Sequence, residues 1–111
     1  MKQYTTPKQT AKLIELGFEK PGSIASVEPI YGMGGISVAK AYSIGELIEM
    51  LDNIPNNNWD FTRTSERIIR VEVHILPKTK RDKYFYRVSY RKELIDALYD
   101  MCVLLKEEGV I

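Results

Sequence analysis

Residues 69–75 alternate strictly between apolar and polar side chains. The apolar members are all β-branched: Ile69, Val71, Val73 and Ile75. Because successive side chains of a strand point to opposite faces, the alternation predicts a half-buried strand whose β-branched row faces a core. A second strand is predicted over residues 83–90. We expect its row of Tyr84, Tyr86, Val88 and Tyr90 to face the core as well, which leaves Phe85 and Arg87 toward solvent.

An amphipathic helix is predicted to follow these strands, over residues 92–108. Its apolar residues recur with the 3.6-residue period of a helix. They are Leu94, Ile95, Leu98, Met101, Cys102 and Leu105. Gly109 is a natural end for this helix, because glycine readily adopts the left-handed conformation found after many helices.

Two shorter helices are predicted from the signals at their N-termini. Thr6 and Pro7 suit the start of the first helix, which Gly17 ends. Ser43 and Glu46 have the S-x-x-E spacing of a capping box, and this places the start of the second helix. Tyr42 and Leu47 occupy the two positions of a hydrophobic staple around that start.

The remaining extended segments complete an α+β protein. Residues 24–31 and 36–42 predict a hairpin around a glycine-rich turn, and residues 59–63 predict a further short strand. These connections are too short for a parallel crossover, so we expect antiparallel pairing. The predicted fold is a single domain over residues 1–111. It consists of an antiparallel sheet of about three to five strands, with three helices packed mainly on one face.

Composition indicates a small soluble, cytoplasmic protein. The net charge of +1 favours attraction to neither nucleic acid nor an anionic membrane. The first ten residues lack the apolar run of a secretory signal, and no run is long enough to span a bilayer. A single cysteine excludes an intramolecular disulfide, and with one histidine it argues against zinc. We therefore expect no cofactor, no metal and no membrane partner.

Four segments carry a family resemblance: QTAKLIELGF at 9–18, YSIGELIEML at 42–51, ELIDALYDMC at 93–102 and LKEEG at 105–109. Together they resemble a group of short uncharacterised proteins found in gut Bacteroidetes and their phages or mobile elements. The resemblance implies a phage-associated origin, but it implies no activity, because that group has no assigned catalytic residue, cofactor or substrate. Residues 22–40 and the basic loop after residue 77 lie outside the similar segments.

Four features of the sequence suggest chemistry, and each has a plainer interpretation. The turn at 32–35 lacks the phosphate-binding patterns, so a hairpin turn is favoured. Cys102 lies on the apolar stripe of the last helix, which favours core packing over a nucleophile. His74 beside Glu72 suits acid–base work, but a solvated polar face is favoured. The pair Asp96 and Asp100 is typical of a solvated helix face. We therefore do not expect an enzyme.

Charge is divided unevenly in the last third of the chain. Residues 61–92 contain ten Lys/Arg and three acidic residues, whereas residues 93–111 contain one Lys and five acidic residues. The predicted partner surface lies on the basic strand pair and its loop, at Arg70, His74, Lys78, Lys80, Arg81, Lys83, Phe85 and Arg87.

Two functions fit this surface. The favoured one is a non-enzymatic protein–protein interaction or accessory protein, which binds another protein or itself as a homodimer by pairing acidic with basic surfaces. The alternative is binding of single-stranded nucleic acid, with Phe85 as a stacking platform between cations. No known nucleic-acid-binding motif supports this alternative, so it is not favoured.

Overall fold

A computed structural model describes residues 2–30, 35–64, 66–77 and 84–111. These residues form three helices and two antiparallel sheets, which confirms the predicted α+β class. In chain order the elements are α1 (Pro7–Glu15), β1 (Ser23–Ile30), β2 (Gly35–Ala41), α2 (Ile44–Asp52), β3 (Asn57–Arg63), β4 (Ile69–Ile75), β5 (Phe85–Arg91) and α3 (Leu94–Glu107).

The main sheet has the order β3–β4–β5, and both of its pairings are antiparallel. Helix α3 packs across β4 and β5, and α2 packs beside α3 and against β3. The core lies between these helices and one face of the sheet. Its fully buried members include Leu47, Leu51, Val71, Val73, Ile95, Leu98, Met101 and Leu105.

Local chemistry sets the helix boundaries as predicted. Thr6 accepts a hydrogen bond from the backbone N–H of Gln9 and Ser43 accepts one from Glu46, so both short helices begin with a complete capping box. Gly17 has φ +98° after α1 and Gly109 has φ +77° after α3, and both values lie in the left-handed region. The predicted helix ends are therefore confirmed.

The N-terminal segment is tied to the start of α2 around Tyr42, which is almost fully buried. The backbone N–H of Thr5 donates to the carbonyl of Tyr42 at 2.9 Å. The backbone N–H of Tyr42 donates in return to the Thr5 hydroxyl at 3.0 Å. The Tyr42 phenol donates to the carbonyl of Glu19. Tyr42 thus joins both ends of the α1 region to the core.

Strands β1 and β2 form a second sheet of their own rather than extending the main one. The predicted hairpin is confirmed, and a register shift between Ile24 and Ser26 leaves Ala25 as an extra residue in β1. The predicted turn falls largely on residues 31–34, outside the described residues. The molecule measures 64 Å along its longest axis and 17 Å along its shortest.

Asp96 at the start of α3 anchors the N-terminus. It accepts hydrogen bonds from Lys2 Nζ at 3.0 Å and from Gln9 Nε2 at 2.9 Å. Burial alone would raise the pKa of Asp96, but these hydrogen bonds outweigh it and hold the pKa below its ordinary value. The folded state therefore favours the ionised carboxylate.

We expect Asp96→Asn to lower the free energy of unfolding at pH 7 by about 1–2 kcal/mol. Because the folded pKa is depressed, this stabilisation is present above the unfolded value of about 3.9 and is lost as pH falls through the lower folded value. Urea unfolding of wild type and variant from pH 7 to pH 3 measures it. Asp100→Asn is the control, since burial raises the pKa of Asp100 and its pH trend should be opposite. If the difference in free energy of unfolding between the wild type and Asp96→Asn did not change with pH, the depressed pKa of Asp96 would be contradicted.

Candidate interaction surface on the three-stranded sheet

The register of the main sheet assigns the side chains of β4 and β5 to its two faces. Directly opposite residues of an antiparallel pair lie on the same face. Val73 lies opposite Arg87, and Ile75 lies opposite Phe85. Phe85 and Arg87 therefore share the face of the buried β-branched row, toward the helices. The prediction that this β-branched row faces the core is confirmed.

The prediction that Phe85 and Arg87 face solvent on the open side of the sheet is wrong. Phe85 packs against the core. The Arg87 guanidinium lies 4.5 Å from the centre of the Phe85 ring and donates a hydrogen bond to Glu108 at 2.7 Å. Alternation shows that the two rows of a strand point in opposite directions, but it does not show which row is covered. In β5 the covered row is the one that contains Ser89. The small Ser89 side chain lets α3 pack closely, and its hydroxyl donates a hydrogen bond to the Ala97 carbonyl at 2.8 Å.

The opposite face of the sheet is aromatic and polar, and we call it the tyrosine face. It consists of Tyr84, Tyr86, Val88 and Tyr90 at β5, Arg70, Glu72 and His74 on β4, and Asn58, Asp60 and Thr62 on β3. Tyr84, Tyr86 and Tyr90 are 55%, 39% and 56% exposed. Phenol rings that were predicted to fill the core therefore cover a solvent-facing surface.

Glu72 holds together a network of side chains on the tyrosine face. Arg70 Nε lies 3.0 Å from its carboxylate, close enough for an ion pair but not aligned for a hydrogen bond. His74 Nε2 lies 3.5 Å away, and the Tyr86 hydroxyl donates at 3.4 Å. His74 Nδ1 also bonds with the Tyr84 hydroxyl, and its ring lies 4.7 Å from that of Tyr86. These contacts hold the Tyr84 and Tyr86 rings in place on the sheet.

Partial desolvation and the nearby Glu72 carboxylate raise the pKa of Tyr86. A phenol is protonated at neutral pH even at its ordinary pKa of about 10, so the Tyr86 hydroxyl can donate a hydrogen bond. The order Glu72–His74–Tyr84 also resembles an orienting acid, a base and a nucleophile. Covalent catalysis needs an enclosed, preorganised site, whereas Tyr84 lies on an open sheet surface and is largely exposed. The arrangement therefore lies on an accessible surface of the sheet.

The predicted partner residues are not gathered on one surface. Arg70 and His74 lie on the tyrosine face, and the predicted position of His74 on the polar face is confirmed. Phe85 and Arg87 lie on the helix side. The other four predicted members lie outside the described residues: Lys78, Lys80, Arg81 and Lys83.

The exposed tyrosines were missed by the sequence analysis. The signal that could have found them is the small residue at position 89, together with the affinity of phenol hydroxyls for water. A row that contains serine can approach a helix closely, and a row of tyrosines more easily remains outside.

Several acidic side chains of α3 and its C-terminal end form ion pairs within the chain. Ion pairs join Arg87 to Glu108 at 2.7 Å and Arg91 to Asp100 at 2.9 Å. Lys2 binds Asp96 at 3.0 Å on the same helix. The predicted solvated face of α3 is therefore an ion-paired one. Charges satisfied in this way contribute less to pairing between molecules.

Cys102 is fully buried on the apolar stripe of α3. Burial raises the pKa of Cys102 to about 12. The thiol is therefore protonated at neutral pH and unreactive, because the thiolate is the nucleophile. The prediction that Cys102 packs in the core is confirmed.

The described residues contain neither a cluster of metal-ligating side chains nor a membrane-spanning helix. There, no group of three or more His, Cys, Asp or Glu is arranged to hold a metal ion. The longest helix of the described part of the chain, α3, has 14 residues, and none is long and apolar enough to cross a bilayer. The tyrosine face remains the strongest candidate site.

No protein-family model matches the chain, and neither the curated proteins nor the solved structures include one that is significantly similar to it.

Proposed function

We propose that this chain is a non-enzymatic interaction protein that binds another protein through the tyrosine face. The observation that carries the proposal is the exposure of three tyrosines beside Arg70 and His74 on a sheet face opposite the helices. Tyrosine and arginine are enriched where protein interfaces gain most of their binding energy. Tyrosine has few rotatable bonds and is already held by the sheet, so little side-chain entropy is lost on binding.

The charge of the tyrosine face favours a protein partner over a polyanion. Arg70 is the one permanent cation among its defined residues, and it pairs with Glu72. Asp60 adds a second carboxylate to the same face. Binding of nucleic acid depends on Lys and Arg that neutralise phosphates. A surface of phenols with one cation and two carboxylates instead suits the mixed polar and apolar surface of a protein.

Single-stranded nucleic acid is the second candidate, now through the tyrosines rather than Phe85. The observation in its favour is the row of exposed phenol rings on an open sheet, since bases stack on such rings with little dependence on sequence.

We also propose that the protein is located in the cytoplasm and originates from a phage or mobile element. Both proposals rest on composition and on the family resemblance.

Site-specific photo-crosslinking in the native host tests the proposal. A benzophenone amino acid at Tyr90, which is 56% exposed, should capture a discrete protein. The matched control is the same amino acid at Ile14, 40% exposed on α1. Adducts from both positions alike, or from neither, would argue against this surface.

The captured protein then allows a direct measurement of affinity by calorimetry. Tyr86→Ala with Tyr90→Ala should weaken binding at least about tenfold, because aromatic anchors carry much of an interface's energy. Ile14→Ala should leave the affinity unchanged. Anisotropy with a labelled oligonucleotide at about 50 mM salt distinguishes the second candidate, since electrostatic binding is strongest at low salt. Tyrosine-dependent binding there, without a protein adduct, would replace the proposal with the alternative.

A further inference from the structure

Strands β1 and β2 form a sheet of two strands, which we call the ribbon. Its two strands pair with each other and join no third strand of the described chain. Exposed side chains on it include those of Ala25, Ser26, Ala39 and Lys40, and Ile24 is 51% exposed, whereas Ala41 at the end of β2 is buried. A two-stranded hairpin alone in water is marginally stable, and a third strand or a packed face is needed for independent stability.

The two outer edges of the ribbon differ. Strand β1 contains Pro29, which has no N–H to donate, and the register shift at Ala25. Proline and bulges are the devices by which natural edge strands avoid pairing with other chains. Strand β2 has neither a proline nor a register shift. Its outer edge therefore remains open to another strand.

The composition of the ribbon argues for a protein neighbour. Over residues 23–41 the charged residues are Glu28 and Lys40, which cancel. Five residues of the same segment are isoleucine or valine: Ile24, Val27, Ile30, Ile36 and Val38. Such a segment cannot neutralise phosphates or anionic lipids, and two copies of it repel each other little.

We propose that β2 pairs with β2 of a second copy of this chain and so forms a continuous four-stranded antiparallel sheet. A two-fold axis between the β2 strands makes the contact isologous and closed, which gives a dimer rather than a fibre. This pairing gives each ribbon a third strand. The two β1 strands, which contain Pro29 and the register shift, then form the outer edges of the four-stranded sheet. Seven residues of β2 form a smaller contact than the roughly 800 Å² per partner of a standard interface, so we expect a weak, concentration-dependent dimer.

Two alanine positions on the ribbon provide a matched test by sedimentation over about 1–500 µM, the range suited to a weak dimer. Ala39→Lys adds a charge to β2, and Ala25→Lys adds the same charge to β1; both alanines are exposed. Ala39→Lys should raise the dissociation constant at least about tenfold, as a lysine on an edge strand opposes pairing. Ala25→Lys should leave it nearly unchanged. A monomeric wild type at every concentration, or equal effects of the two variants, would overturn the proposal.

Spin labelling provides a second measurement that needs no destabilising substitution. Cys102 is buried and unreactive, so a nitroxide on Ala25→Cys is attached at one position only. In the proposed sheet the two β1 strands are about three strand spacings apart, about 15 Å before the offset along the strands. Pulsed EPR should give a narrow intermolecular distance below about 40 Å. No intermolecular dipolar signal at high concentration would contradict the proposal. The ribbon positions lie off the tyrosine face, so failure here leaves partner capture at Tyr90 unaffected.

Discussion

Val73→Lys should prevent folding, whereas Val88→Lys should change the free energy of unfolding by less than about 1 kcal/mol. Both residues are valines in central positions of neighbouring strands. Val73 is fully buried against the helices, and Val88 is on the tyrosine face opposite Glu72. The comparison keeps the residue type constant and changes the face of the sheet, although β4 is the central strand and β5 an edge strand.

The size of the Val73 effect follows from desolvation of the new ammonium group. An unpaired charge in a core costs several kcal/mol, so we expect a loss of at least about 4 kcal/mol, comparable with the whole stability of many small domains. At position 88 the new lysine stays hydrated and can pair with Glu72. Circular dichroism and urea unfolding measure both variants. A folded Val73→Lys with an unfolded Val88→Lys would mean that the two faces are assigned the wrong way round.

Tyr42→Ala should lower the free energy of unfolding by about 3–5 kcal/mol, the usual cost of removing a large buried aromatic ring. The Tyr42 ring lies in the same core cluster as Leu13 and Leu47. Its loss would leave a cavity where the α1 region meets α2. The hydrogen bonds between Thr5 and the Tyr42 backbone hold the surrounding chain in place, which limits how far the cavity can collapse.

Tyr42→Phe separates the ring from the hydroxyl. It keeps the packing and removes the hydrogen bond to the Glu19 carbonyl, so we expect a cost of about 1 kcal/mol. Urea unfolding of both variants, followed by Trp59 fluorescence, gives the two values. Equal destabilisation by phenylalanine and alanine would show that the hydroxyl, not packing, is the main contribution of Tyr42.

Features set by neighbouring residues could be predicted from the sequence. The capping boxes at Thr6 and Ser43 and the glycines at 17 and 109 depend on a few consecutive residues. The same holds for the buried β-branched row of β4, which has charged neighbours that can only face water. In each case one local arrangement is far lower in free energy than the others.

Features set by distant contacts could not be predicted in this way. In β5 both rows contain aromatic residues, so hydropathy alone does not choose between Phe85 and Tyr86. The choice is made by packing of α3 against Ser89 and by the ion pair between Arg87 and Glu108. The separation of the ribbon from the main sheet also depends on long-range pairing. The candidate surface in the structure is therefore the tyrosine face, whereas the sequence predicted a surface that included Phe85 and Arg87.

Hydroxyl-radical footprinting with residue-level mass spectrometry tests the orientation of β5 most directly, since aromatic side chains react according to their exposure. Tyr84, Tyr86 and Tyr90 should be oxidised rapidly in the native protein, and Tyr42 should be protected until the chain is unfolded. Phe85 is half-buried and should be oxidised more slowly than its two tyrosine neighbours. Rapid oxidation of Phe85 together with protection of Tyr86 and Tyr90 would contradict the account and remove the surface on which the proposed function depends.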